Sequence, residues 1–323
     1  MAKVSVIIPV YNAEKTITKC LDAICAQTFE DFEAICVNDG SDDKSFEIME
    51  AFAKKDSRIK IFNQENHGPA FTRNFAMSRI SPETEYIMFC DSDDRYEPSM
   101  IENMVSTIET RNVDIVMCDC NVINEDNSPS PRFNDEFFNL KLIGTYLIDY
   151  EILKFINILI WNKIFKRELI DKYNITYPDK FEHDDTMFVL KYLCFAQSYC
   201  GLNKVLYNYY VARPESVMGK TFANKNNNHK FDFIYCFKNL FDFMYETGNF
   251  RILSSVHDIF AGMFITFYPY LSKDEKEQSV RALKEFAVNI PFKENIAKNE
   301  KFLTDDHIRF VEYISNSLTE CYS

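Results

Sequence analysis

Three carboxylates stand within four residues at Asp91, Asp93 and Asp94, directly after the apolar run Tyr-Ile-Met-Phe-Cys of 86–90. Charges of one sign so close repel unless something offsets them. In an extended backbone side chains alternate with period two, so Asp91 and Asp93 are expected on one side and Ser92 on the other. Two converging carboxylates suit a hard, oxygen-seeking cation such as Mg²⁺ or Mn²⁺, particularly where phosphates complete its shell. The stretch is not an EF-hand, because Arg95 and Tyr96 occupy the places of that loop's third oxygen ligand and its glycine. The bland alternative is a solvated acidic turn at a strand end. A second acidic pair, Asp184-Asp185, heads a helical pattern, where carboxylates also suit the positive helix end.

The elements that must position these groups are legible through residue 120. VSVIIPV (4–10) is a buried strand candidate, and Asn12 is placed to cap a helix with Ile17, Cys20, Leu21 and Ile24 inward. FEAICVN (32–38) is a second strand, running into NDGSDD, and IKIF (59–62) a third. Gly68-Pro69 opens the next helix, with proline at a permitted first-turn position. YIMFC (86–90) and VDIVMCDC (113–120) complete a βα alternation that predicts an α/β fold with a mostly parallel central sheet. In such sheets ligands bind outside the carboxyl ends of the strands, so NDGSDD and DSDD are expected at one crevice. WNKIFKRELIDKY (161–173) reads as a helix with Ile164, Phe165 and Leu169 inward, the second half of 176–196 as another helix, and LYNYYVARPES (206–216) as a strand leading to a turn. After a polar stretch at 220–230, FDFIYCFKNLFDFMY (231–245) begins a C-terminal helical region. Ser272 and Glu275 stand in a capping-box arrangement within it. The division predicted is 1–220 and 221–323.

The chain has 323 residues, 46% of them hydrophobic, and a net charge of −13. That charge argues against a nucleic-acid partner. No apolar run is long enough to span a bilayer, and the N-terminus lacks a signal-peptide pattern, so a cytoplasmic protein is expected. The 10 cysteines are scattered without a CxxC pair, which fits reduced, mostly buried thiols rather than a disulfide framework or zinc site. The 7 glycines are too dispersed for GxGxxG or a P-loop. Any nucleotide must therefore be held by other means.

Taken in order, VSVIIPVYN (4–12), VNDGSDD (37–43), NHGPAFTRN (66–74), FCDSDD (89–94), WNKIFKREL (161–169), HDDTMF (183–188) and YYVARPES (209–216) make the chain resemble a bacterial family 2 glycosyltransferase with the GT-A fold. The resemblance covers about the first two-thirds of the chain, one domain's worth. It implies that Pro9, Tyr11 and Asp39 hold the nucleotide base, with Asp39 accepting from the uracil ring N–H, and that Arg73 contacts the nucleotide. By the same resemblance Asp91 is expected near the ribose and metal shell, and Asp93 is expected to bind Mn²⁺ or Mg²⁺ directly. By that match Asp185 is expected to be the catalytic base. Asp184 replaces the family's usual Glu, one methylene shorter, with His183 beside it. Arg213 and Ser216 resemble an R-x-x-S element that closes over the pyrophosphate.

The activity so implied is inverting, metal-dependent transfer from a UDP-sugar to an oligosaccharide or lipid-linked glycan acceptor. Its setting would be bacterial surface polysaccharide, capsule or lipooligosaccharide synthesis. Sugar nucleotidyl transfer needs a glycine-rich loop after the first strand, which YNAEKT lacks. A non-catalytic scaffold with the same fold is the alternative from another class. The acceptor is expected against 121–160 and the C-terminal helices. The aromatic helix 231–245 reads first as core. A peripheral membrane contact, aided by Lys220, Lys225 and Lys230, or a homo-oligomer contact is the alternative, and a strongly acidic chain gains little from an anionic surface.

Overall fold

The β-branched run VSVIIPV forms strand β1 (Val4–Val10), buried except at Pro9. The structure, a computed structural model, describes residues 2–124, 128–130, 140–178, 184–210, 232–253, 255–256 and 259. Helix α1 (Ile17–Cys25) buries Ile17, Cys20, Leu21 and Ile24, the i, i+3, i+4, i+7 face read from the sequence. Asn12 is not its cap. Its backbone is left-handed (φ 47°), and the helix starts only at Ile17, after a turn closed onto the Ala13 carbonyl. The Asn12 side chain instead accepts from the Asp42 amide at 2.9 Å, while its own amide donates to Ser41 Oγ at 3.0 Å. It thereby ties the end of β1 to the NDGSDD turn.

Strand β2 (Phe32–Asp39), helix α2 (Ser45–Ala53), strand β3 (Ile59–Gln64), helix α3 (Pro69–Met77) and strand β4 (Tyr86–Phe89) follow as the alternation predicts. Beyond them lie β5 (Arg95–Tyr96), α4 (Met100–Arg111), β6 (Ile115–Ile123), β7 (Gly144–Leu147), the short α5 (Tyr150–Leu153), β8 (Lys163–Lys166), α6 (Arg167–Lys172), α7 (Asp184–Phe195), β9 (Ser198–Tyr210) and α8 (Asp232–Thr247). The sheet runs β3-β2-β1-β4-β8-β6-β9-β5, with β7 paired to β9. β2 and β4 flank β1 in parallel, β3 pairs β2 in parallel and β6 pairs β9 in parallel, while β8, β5 and β7 run against their neighbours. The mostly parallel α/β sheet is as expected.

WNKIFKRELIDKY departs from the expectation. Its first half is not helical: Lys163–Lys166 forms β8, inserted antiparallel between β4 and β6, and only Arg167–Lys172 is helical. Ile164 and Phe165 are fully buried in the sheet centre. A short apolar run covered by neighbours cannot be told from helix by period alone.

Helix α8 packs on α7, burying Cys236, Phe237, Leu240, Phe241 and Met244. Beyond it, the Arg251 guanidinium donates to the Leu193 carbonyl at 2.6 Å and the Ile148 carbonyl at 2.8 Å, and also to the Ala196 carbonyl, closing the C-terminal end of α7. Among the described residues no helix is long and apolar enough to cross a membrane. The nine described cysteines are all unbridged, and all but Cys25 are buried. The capping box at Ser272 and the helices expected after 260 lie outside the described residues.

Candidate functional site

The carboxyl ends of β1, β2 and β4 come together through their parallel register, with Ile8 against Cys36 and Ile7 against Phe89. The residues that follow each strand therefore share one crevice edge. After β1, Tyr11 is 50% exposed, a large ring left in solvent beside the turn that follows β2. Pro9 is half-buried on the last part of β1.

Asp39 ends β2 and is buried. Its Oδ1 accepts from Gln64 Nε2 at 2.8 Å and from the His67 amide at 2.9 Å, and its Oδ2 accepts from the Gly68 amide at 2.9 Å. Asp39 thus brackets the loop that leads into α3. Gly40 must be glycine: φ is +68°, and a Cβ would stand 2.7 Å from the Asn66 amide nitrogen. Across that loop, the rings of His67 and Phe71 lie 4.6 Å apart.

DSDD is a turn rather than a continuation of strand. The Asp94 amide donates to the Asp91 carbonyl at 3.0 Å, and the alternation expected of Asp91 and Asp93 does not apply. Asp94, given no role in the sequence reading, is fully buried. It accepts from Tyr207 Oη at 2.7 Å and from the Tyr210 amide at 2.8 Å. Burial first, then the charges of Asp93 and Asp91, push its carboxyl well above the ordinary range. Trp161 stacks on Tyr207, with centroids 4.3 Å apart, and on Tyr209 at 5.3 Å, forming a buried aromatic wall behind the turn. The Tyr209 phenol is also pushed up, by burial and then by Asp94, Asp91, Asp93 and Asp185, so these acids act on one spot.

Arg73 joins the two acidic groups. Its side chain is 7% exposed, and its two terminal nitrogens reach different carboxylates: Asp91 Oδ1 at 3.0 Å and Asp185 Oδ1 at 3.1 Å. Tyr177 lies under the guanidinium, 5.5 Å from it, and stacks on Phe188 of α7 at 4.6 Å. Asn74 fixes Tyr177 by exchanging hydrogen bonds with its amide and carbonyl, at 2.9 and 3.0 Å. Lys163 is buried nearby, bonded to Asn162, Asn157 and the Leu159 carbonyl. Burial pulls its pKa down to about 7, and the charge of Asp185 is among those opposing that fall.

The structure therefore brings Arg73, Asp91, Asp93, Asp94 and Asp185 together, and places Asp39 and Tyr11 on the same strand-end edge. Asp184 opens α7. His183, Arg213 and Ser216 lie outside the described residues. Sequence reasoning missed Asp94, Tyr207, Trp161, Tyr177 and Gln64. Only Asp94 had a visible signal, as the third acid of its cluster.

Among the described residues, no three His, Cys, Asp or Glu side chains gather as a metal cage. Asp91 and Asp93 nevertheless fit a divalent ion that takes the rest of its shell from phosphate and water. Asp91 Oδ1 is engaged by Arg73.

The model of glycosyl transferase family 2 matches residues 5–174. The chain is 32% identical over 223 residues to the putative glycosyltransferase EpsH of Bacillus subtilis, covering 64% of this chain and 60% of that protein. The structure of S. aureus TarS 1–349 in complex with UDP-GlcNAc superposes with TM-score 0.75 at 20% identity, over 99% of this chain and 89% of that one. The mannosyltransferase PcManGT from Pyrobaculum calidifontis, in complex with GDP-Man and Mn²⁺, superposes with TM-score 0.53 at 17% identity, over 97% of this chain and 84% of that one. With more than half its length matched by the family model, the chain belongs to glycosyl transferase family 2, and its mixed sheet is that family's GT-A fold.

Proposed function

We propose that the chain transfers a sugar from a UDP-sugar to a hydroxyl of an oligosaccharide or lipid-linked glycan, with inversion, in the synthesis of a bacterial surface polysaccharide, capsule or lipooligosaccharide. The observation that carries this is the buried Arg73 fork between Asp91 and Asp185. It sets a carboxylate for proton abstraction across from a carboxylate pair suited to a diphosphate-bound cation.

In this reading Asp185 takes the proton of the acceptor hydroxyl as its oxygen bonds to the anomeric carbon. The bond from that carbon to the diphosphate oxygen breaks, and its electron pair leaves with the diphosphate. One base and no enzyme nucleophile make this a single displacement, hence inversion. The Arg73 charge suits the anionic form a base must have, and the half-buried position of Asp185 limits its competition with water. Asp93, with Asp91 beside it, would hold Mn²⁺ or Mg²⁺. Such an ion supplies positive charge to the leaving diphosphate. Tyr11, Pro9 and Asp39 hold the base, Asp184 stands beside Asp185 where the family usually has Glu, and Arg213 and Ser216 close on the pyrophosphate. TarS with UDP-GlcNAc supports the donor class through a shared fold, and PcManGT with Mn²⁺ supports the cation in the same way. A lipid-linked acceptor would bring the protein to the cytosolic face of the inner membrane. The division at 220/221 belongs to this proposal, with α8 seated on α7 as the described contact between its parts.

The test is a thermal-shift panel of UDP, GDP, CMP and dTDP, each with Mn²⁺ and with EDTA, on wild type and Asp93→Asn. A shift with UDP that needs Mn²⁺ and vanishes in Asp93→Asn is expected. Asp185→Asn should then keep the shift and lose UDP release from UDP-sugars. Stabilisation by no nucleotide would favour a scaffold and sink the enzymatic reading.

A further inference from the structure

Asp39 has a nearly complete set of hydrogen bonds before any ligand arrives. A carboxylate oxygen offers two lone pairs. Oδ1 uses both, on Gln64 Nε2 and the His67 amide, and Oδ2 uses one, on the Gly68 amide. Among the described residues that leaves one acceptor position, on Oδ2. Gln64 is itself held. The same Nε2 donates to Thr72 Oγ1 at 3.0 Å, and the fully buried Thr72 donates to the Gly68 carbonyl at 2.8 Å. Gln64 and Asp39 face each other across the β2–β3 register, so the sheet sets their contact rather than a loop.

The nucleobases differ at the edge such a carboxylate reads. Uracil presents one ring N–H between two carbonyls. Guanine presents a ring N–H and an exocyclic amine side by side, which pair with a carboxylate through both its oxygens. Cytosine presents a bare ring nitrogen at the position of uracil's N–H, and its lone pair would meet that of Oδ2. We infer that Gln64 is a positioning residue that fills Asp39 Oδ1 and restricts the carboxylate to a single donor, making the site selective for a uracil-type imide over guanine. This rests on the reading of Asp39 as the nucleobase contact. It goes beyond that reading by naming the residue that sets the selectivity, and the fold alone leaves the point open, since relatives of this fold hold UDP-GlcNAc and GDP-Man.

The experiment is calorimetric titration of UDP and of GDP into the full chain as wild type, Gln64→Leu, Thr72→Val and Asp39→Asn, with a melting curve for each. Wild type should bind UDP more tightly than GDP. Gln64→Leu should weaken UDP about tenfold, the loss of one hydrogen bond to a charged group, while narrowing the UDP-to-GDP ratio. A merely structural loss would weaken both nucleotides alike and leave the ratio unchanged, which overturns the inference. Thr72→Val keeps the side chain's shape but removes Gln64's second acceptor. It should move the ratio in the same direction by less, and it carries the test if Gln64→Leu does not fold. If Asp39→Asn weakens UDP while Gln64→Leu and Thr72→Val leave the ratio at the wild-type value, the role of Gln64 falls and the base contact stands. If Asp39→Asn leaves UDP affinity unchanged, the base contact falls and the inference with it.

Discussion

Replacing Arg73 by lysine keeps one positive charge and removes the fork. Two nitrogens of the guanidinium reach carboxylates on separate elements, at 3.0 Å to Asp91 after β4 and 3.1 Å to Asp185 at the head of α7. An ammonium is a point charge that can satisfy one of them. Each pair has a Coulomb attraction of about 5 kcal/mol at an effective dielectric of about 20, most of it cancelled by desolvation. Breaking a fully buried pair from one side costs about 3–5 kcal/mol. Asp185 and Asp91 retain 23% and 30% side-chain exposure, so water softens the loss. The expected destabilisation by Arg73→Lys is therefore about 2 kcal/mol, the cost of one half-buried carboxylate left without its partner. Urea unfolding of the full chain measures it, as a lower midpoint at unchanged slope. The decisive quantity is the coupling in a cycle with Asp185→Asn. If lysine chooses Asp91, Arg73→Lys should cost about 1 kcal/mol less in the Asp185→Asn background than in wild type. Additivity within about 0.4 kcal/mol would mean that the Arg73–Asp185 contact contributes nothing, and the link between the two acidic groups would be refuted.

Gly40→Ala should destabilise by about 2 kcal/mol or more, because a left-handed backbone and a Cβ 2.7 Å from the Asn66 nitrogen cannot both be relieved locally; a melting curve checks it. Tyr207→Phe removes one of the two donors to buried Asp94 and should cost about 1.5–3 kcal/mol in urea unfolding, with a loss no larger than about 0.5 kcal/mol counting against that bond. Glu33 gives a pH signature away from the site. Burial works to raise its pKa, but Lys60, Ser5 and Ser81 outweigh burial and hold it below the ordinary 4.5. A carboxylate lowered on folding contributes stability that is present above its unfolded pKa and lost as pH falls through the folded one. Wild type should therefore lose more stability on acidification below about pH 4.5 than Glu33→Gln does, and parallel acid limbs for the two would contradict the assignment.

The parallel half of the fold and the acids Asp91, Asp93 and Asp185 were legible because each signal was local. β-branched runs, helical spacing and a proline at a helix start need only neighbours in sequence to be interpreted. What was hidden depended on distant partners. In WNKIFKREL, Ile164, Phe165 and Leu169 have helical spacing, yet the first two are sheet residues because β4 and β6 cover both their edges. Gln64 lay beyond the apolar run IKIF, yet the ladder continues through Asp39 and makes it a partner of that carboxylate. Asn12 has the residue type of a helix cap, but the turn after β2 gives it partners, while the helix starts only at Ile17.

The same dependence on distant partners explains how three carboxylates tolerate four consecutive positions. An extended backbone would have set Asp91 and Asp93 on one side, where only a cation could relieve them. The turn divides the acids instead. Asp91 meets the buried Arg73, brought by α3, and Asp94 is drawn inward to Tyr207 and the Tyr210 amide at the end of β9. Asp93 stays half-buried on the turn between them. Two of the charges are thus met by groups that the fold brings from α3 and β9. The raised proton affinity of Asp94 follows from the same division, since its desolvation and the repulsion from Asp93 and Asp91 are offset only in part by two hydrogen bonds. β9 supplies both donors from its last four residues, so the anchoring of Asp94 ties the acidic turn to the end of that strand.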